Sequence, residues 1–130
     1  MTKSNFMEKY PIHSLEIQKS KTTYTSVNEI IEYLQSLILK HPVATFISIF
    51  DHYKHTCSLE GNTIHPDIKD AKNILFCFGK QLSNTKLLAV RPRSIGVSEL
   101  ENSFEISFLE VPNEQLHTTT QTWVKSIANK

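Results

Sequence analysis

Asn73 to Gly96, NILFCFGKQLSNTKLLAVRPRSIG, points to a sheet. It holds two apolar runs, Ile74-Leu75-Phe76-Cys77-Phe78 and Leu87-Leu88-Ala89-Val90, joined by a polar connector that begins at Gly79. Short runs that stay apolar at successive positions predict strands buried on both faces. The second run breaks into Arg91-Pro92-Arg93-Ser94, two guanidiniums either side of a proline. Two internal strands with a cationic exit imply a sheet, so the flanking segments must supply its remaining strands and its cover.

On the N-terminal side, Met1 to Glu8 is polar and is expected to fray. Tyr10 to Lys19 alternates around Leu15 and Ile17, the period-two pattern of a strand. Ser26 and Glu29 have the spacing of a capping box. Val27, Ile30, Ile31, Leu34, Leu37 and Ile38 then recur at helical spacing, and Pro42 ends the helix. Val43 to Phe50 is β-branched and aromatic and reads as a strand. Asp51 to Glu60 fits either an extended continuation or a short helical turn. Pro66 to Lys72 predicts a short helix with proline at its first position.

On the C-terminal side, Ser98 to Asn102 reads as a polar turn. Phe104, Ile106 and Phe108 alternate with Glu105 and Ser107 as a half-buried strand. Pro112-Asn113 opens a last helix that places Leu116, Thr120, Trp123 and Ile127 on one side. The order β-α-β-(short helix)-β-β-β-α predicts an α+β fold in one domain, residues 1–130. It has a mainly antiparallel sheet of about five strands with both amphipathic helices on one face. With Phe46, Phe50, Phe76 and Phe78 read as spread over both faces, the second face carries apolar area, and a homodimer is expected to cover it.

Composition narrows the function classes. The 130 residues carry 14 Lys+Arg against 13 Asp+Glu, a formal net charge of +1, so no global field favours nucleic acid or a membrane surface. No apolar run is long enough to span a bilayer, and Met1 to Lys9 lacks the apolar core of a secretory signal, which together predict a cytoplasmic chain. Cys57 and Cys77 are too few for a disulfide scaffold and match no zinc spacing. Gly-rich phosphate loops and basic helices are also missing.

FDHYKHT at 50–56, KNILFCFG at 72–79 and AVRPRSIGV at 89–97 resemble an uncharacterised bacterial family. That family is similar in turn to the small α+β domains of domain-of-unknown-function family 302. The resemblance covers residues 24–112. It implies a strand ending in Asp51-His52, a strand running into Phe78-Gly79, and a glycine-containing turn at Ile95-Gly96 before the last strand. It also implies a dimer with an unspecified ligand. The chain departs from that pattern where Lys80-Gln81 follows Phe78-Gly79 and where Ser98-Glu99-Leu100-Glu101 follows the turn, positions at which the pattern has proline.

Two groups of residues carry candidate chemistry. Arg91 and Arg93 suit bidentate capture of a carboxylate or phosphate. Ser94 adds a donor, and Asp51-His52 joins the same rim if the two strand ends are neighbours. The competing reading pairs the arginines internally with Asp51, Glu99 or Glu101. His52, His55 and Cys57 form the second group, a set of donors for zinc or another transition metal. Cys77 sits inside an apolar run, where a thiol's reactivity is expected to be low, and no oxyanion or third-group signature accompanies Cys57. These features favour a non-enzymatic binding module for a small anionic ligand or a partner protein. The alternative is a metal-binding or redox role through His52, His55 and Cys57.

Overall fold

Ile74, Phe76 and Phe78 stand on one face of a central strand, and all three are almost wholly buried. The computed structural model describes Met1–Lys130. In chain order its elements are β1 (Thr2–Phe6), β2 (Tyr10–Gln18), α1 (Val27–Lys40), β3 (Ala44–Phe50), α2 (His52–Cys57), β4 (Asp70–Phe78), α3 (Leu87–Val90), β5 (Arg93–Glu99), β6 (Ser103–Leu109) and α4 (Glu114–Lys125). A 3-10 turn at Lys19–Lys21 leads out of β2.

The six strands form one sheet in the order β1-β2-β6-β5-β4-β3, with every neighbouring pair antiparallel. The expected α+β class and antiparallel sheet are present, with six strands and four helices in place of five and two. Directly opposed residues point to the same side, so register assigns the faces. Phe46 opposes Phe76, which opposes Arg93; Ile74 opposes Ile95, which opposes Phe108, which opposes His13. These residues face the helices. The other face carries Phe50, Asn73, Gly96, Ser107 and Ser14 in one row, with Leu75 and Ser94 paired in the next.

The helices form because the sequence caps them and gives each an apolar stripe. Ser26 Oγ accepts from the Glu29 N–H at 3.2 Å, while the Glu29 carboxylate accepts from the Thr25 N–H at 3.1 Å. The reciprocal arm of the capping box therefore lands one residue before the cap. Val27, Ile30, Ile31, Leu34 and Ile38 of α1 are buried, each worth about 1.5–3 kcal/mol against exposure. Asn113 caps α4 by accepting from the Leu116 N–H at 3.0 Å. Trp123 of α4 lies against Phe76 and Phe78, at centroid distances of 6.0 and 5.4 Å. Both long helices thus share the same side of the sheet and one core.

Several local expectations are corrected. Leu87–Val90 is a single helical turn and no strand, with Leu88 and Val90 left exposed. Four residues of apolar run do not distinguish a strand from a turn of helix. The strand instead begins at Arg93, so Ile95-Gly96 lies in mid-strand and not in a turn. Thr2–Phe6 pairs with β2 where fraying was expected. The short helix falls at His52–Cys57 and not at Pro66–Lys72, whose end is already β4. Phe46, Phe76 and Phe78 all face the helices, leaving Phe50 as the one of the four on the second face.

Candidate functional site

Phe78 ends β4 and Gly79 turns the chain away with φ +116°. The connector returns through α3, and a cis Arg91–Pro92 bond leads into β5. Arg91 lies back over Gly79: a Cβ added there would stand 2.5 Å from Nη2 and 2.7 Å from Cζ. Glycine is therefore what allows the guanidinium to rest on the backbone. Its Nη1 donates to the Gln81 carbonyl at 2.7 Å.

Arg93, the first residue of β5, points to the helix side and is only 8% exposed. Its Nη2 donates to the Leu109 carbonyl and, at 3.2 Å, to the Glu110 carbonyl; Nη1 reaches Val90 O at 3.4 Å. Burial holds its pKa below the ordinary arginine value. None of the chain's ion pairs involves Arg91 or Arg93. The expected carboxylates are engaged elsewhere or distant: Glu99 holds Lys19 at 2.7 Å, and Asp51 caps α2 by accepting from the Lys54 N–H at 2.9 Å. Backbone carbonyls position both guanidiniums, while neither charge is neutralised.

The two arginines line a cavity of about 210 Å³ between α3 and the beginning of α4. Phe78, Leu87, Val90, Val111 and Leu116 form its apolar walls, and Asn113 contributes the capped start of α4. The first turn of a helix presents N–H groups and the positive end of its dipole. Two guanidiniums and the start of α4 therefore border one cavity with an apolar backing.

The five residues expected to form one rim are divided. Arg91 and Arg93 stand at the beginning of β5, whereas Asp51 and His52 follow the end of β3. Since β3 and β5 both run antiparallel to β4, these are opposite ends of the sheet. Phe50 is level with Asn73 and Arg93 with Phe76, three positions or about 10 Å apart along β4 at the usual strand rise, and Asp51 and Arg91 lie farther out at either end. The single rim depended on Leu87–Val90 being a strand that ends in the arginines.

Ser94 and His52 do meet, on the face away from α1 and α4, through a residue not singled out from the sequence. Asn73 Nδ2 donates to Ser94 Oγ at 2.9 Å, and Asn73 Oδ1 accepts from His52 Nδ1 at 3.2 Å. Asn73 and Ser94 border a broad depression of about 290 Å³ floored by Gly96 and Ser107, with Pro92 and Arg93 also on its lining. The Asn73 and Ser94 side chains are neutral and partly spent on one another. Period-two alternation from Asn73 through Leu75 to Cys77 was the available signal for Asn73's face.

His52 and His55 fall three apart on α2, both against Phe50, at centroid distances of 5.2 and 5.3 Å. Cys57 is exposed, two positions after His55 and so on another side of the helix. No group of three or more His, Cys, Asp or Glu side chains is arranged to hold a metal ion.

A second cluster, also unforeseen, adjoins Arg93. His13 Nε2 and Lys3 Nζ each meet Glu110 Oε1 at 3.0 Å, and the His13 ring lies 4.4 Å from that of His117. His117 Nδ1 accepts from the Val111 N–H at 3.2 Å, fixing the backbone of the cavity wall. Burial first, then the charge on His13, holds the His117 pKa below its ordinary value. The alternation of His13 with Leu15 and Ile17 was enough to put His13 on the core face.

Residues 1–129 match a family described as a family of unknown function, DUF6858. The chain belongs to that family. This agrees with an uncharacterised protein and departs from the resemblance to domain-of-unknown-function family 302. No curated protein and no solved structure matches the chain. No helix is long and apolar enough to cross a membrane.

Proposed function

We propose that the chain is a binding module for a small anionic ligand, a carboxylate or phosphate with a compact apolar body, held in the cavity between α3 and α4. The observation that carries this reading is the pair Arg91 and Arg93. One guanidinium is nine-tenths buried, neither has a carboxylate partner, and both line the same cavity. Burying a charge without a counter-ion costs several kcal/mol. A purely structural clamp gains little from that cost, whereas a ligand anion offsets it. The cavity is smaller than the roughly 300–1,000 Å³ of drug-sized sites, which sets the ligand's size. Charge-assisted hydrogen bonds of about 1.5–3 kcal/mol each, with apolar burial on Phe78 and Leu116, reach the ~8 kcal/mol of micromolar binding.

The test is a thermal-shift and calorimetric series of acetate, butyrate, hexanoate, benzoate and inorganic phosphate. Binding is expected to strengthen from acetate to the longer carboxylates and to be lost in Arg91→Gln, which keeps the native melting cooperativity. Flat titrations of the whole series at millimolar ligand, or binding indifferent to Arg91→Gln, refute the site.

A further inference from the structure

The sheet has two edges of unlike character. β1 is five residues long and carries Lys3, a charge that discourages pairing with another strand. β3 is seven residues long, Ala-Thr-Phe-Ile-Ser-Ile-Phe, with neither a charge nor a proline. Its backbone is paired only to β4, and Ile47, Ile49 and Phe50 are 47%, 43% and 40% exposed. Leu39, in the last turn of α1 before β3, is 66% exposed. An edge strand presents unpaired N–H and C=O groups, and here no side chain guards them.

The area of the chain argues that something covers it. The accessible surface is 8249 Å² for a chain of 14.9 kDa. Monomers of this mass expose about 7,000 Å², an excess of roughly 1,200 Å². A standard interface takes about 800 Å² from each partner. The excess is therefore of the size that one symmetric contact removes.

We infer that β3 pairs antiparallel with β3 of a second copy of this chain, about a two-fold axis, so that the two sheets continue across the interface. An uncharged strand meets itself without like-charge repulsion, and it offers no charge by which to select a foreign strand. A bulge between Phe46 and Ser48 breaks the register at Ile47. It confines regular pairing to a few residues on either side, so burial of Ile47, Ile49 and Leu39 must supply much of the stability. The contact lies on the far side of β4 from β5 and is independent of the Arg91–Arg93 cavity.

Light scattering coupled to gel filtration at micromolar concentration is expected to give twice the chain mass, with β3 amides gaining exchange protection as concentration rises. Ile47→Lys places a charge on the exposed bulge and is expected to raise the dimer dissociation constant about tenfold or more. Thr45→Lys, at another exposed position of the strand, is expected to do the same with an unchanged circular dichroism spectrum. Leu109→Lys, on an exposed site away from β3, leaves the dimer intact. A monomer throughout, or a dimer that survives both β3 lysines, overturns the proposal.

Discussion

Replacing Gly79 with alanine tests how the turn after β4 holds Arg91. At φ +116° an L-residue lies well outside the left-handed well near +57°, so backbone strain is at least the roughly 1–2 kcal/mol of that well. The added methyl would stand 2.5 Å from Arg91 Nη2 and 2.7 Å from Cζ, so the guanidinium must withdraw. Withdrawal gives up the 2.7 Å bond to Gln81 O, a partly hydrated contact worth at most about 1 kcal/mol. The sum is about 2–3 kcal/mol, which at some 4 °C per kcal/mol for a chain of this size lowers the melting midpoint by roughly 8–12 °C. Urea unfolding of Gly79→Ala, alone and with Arg91→Ala, separates the parts. In the Arg91→Ala background the steric contribution vanishes, leaving the strain and a coupling of about 0.5–1 kcal/mol. A cost below about 0.5 kcal/mol, or an equal cost in both backgrounds, would refute the contact between Arg91 and the turn. The same substitution is expected to weaken carboxylate binding, because it moves the more accessible of the two guanidiniums.

Two further predictions concern the scaffold around the cavity. His117 has a depressed pKa, so its contribution to stability is fully present above its ordinary value of 6.5 and is lost as pH falls through the lower folded value. His117→Asn keeps an acceptor for the Val111 N–H without titrating there, and is expected to flatten the fall in urea midpoint below pH 6.5; an unchanged profile would remove His117 from the acid response. Thr22 is buried and donates to the Ile127 carbonyl at 2.7 Å, joining the segment before α1 to the end of α4. Thr22→Val is expected to cost about 1–3 kcal/mol in denaturant unfolding and Thr22→Ser much less; a negligible cost for Thr22→Val beside a large one for Thr22→Ser would show that the methyl, and not the hydroxyl, matters.

Features that depend on near neighbours were legible in the residues alone. The stripe from Val27 to Ile38 and the Ser26 cap made α1 legible, because helix period and capping are written within a few residues. The alternations at Leu15-Ile17 and Phe104-Phe108 identified β2 and β6 for the same reason. Leu87–Val90 was misread because a four-residue apolar run has no period to measure, and that error carried Arg91 and Arg93 to the wrong end of the sheet. Strand order and direction are set by contacts between residues far apart in the chain, which local pattern does not encode. Long-range packing separates Asp51 from the arginines, joins His52 to Ser94 through Asn73, and brings Val111 and Leu116 to the same cavity as Arg93. It also decided that both guanidiniums rest on backbone carbonyls, since a carbonyl is present at every residue and leaves no mark in a sequence. The pair of arginines was visible from the beginning; that their charge lines a cavity uncompensated is a property of how the sheet and α4 close around them.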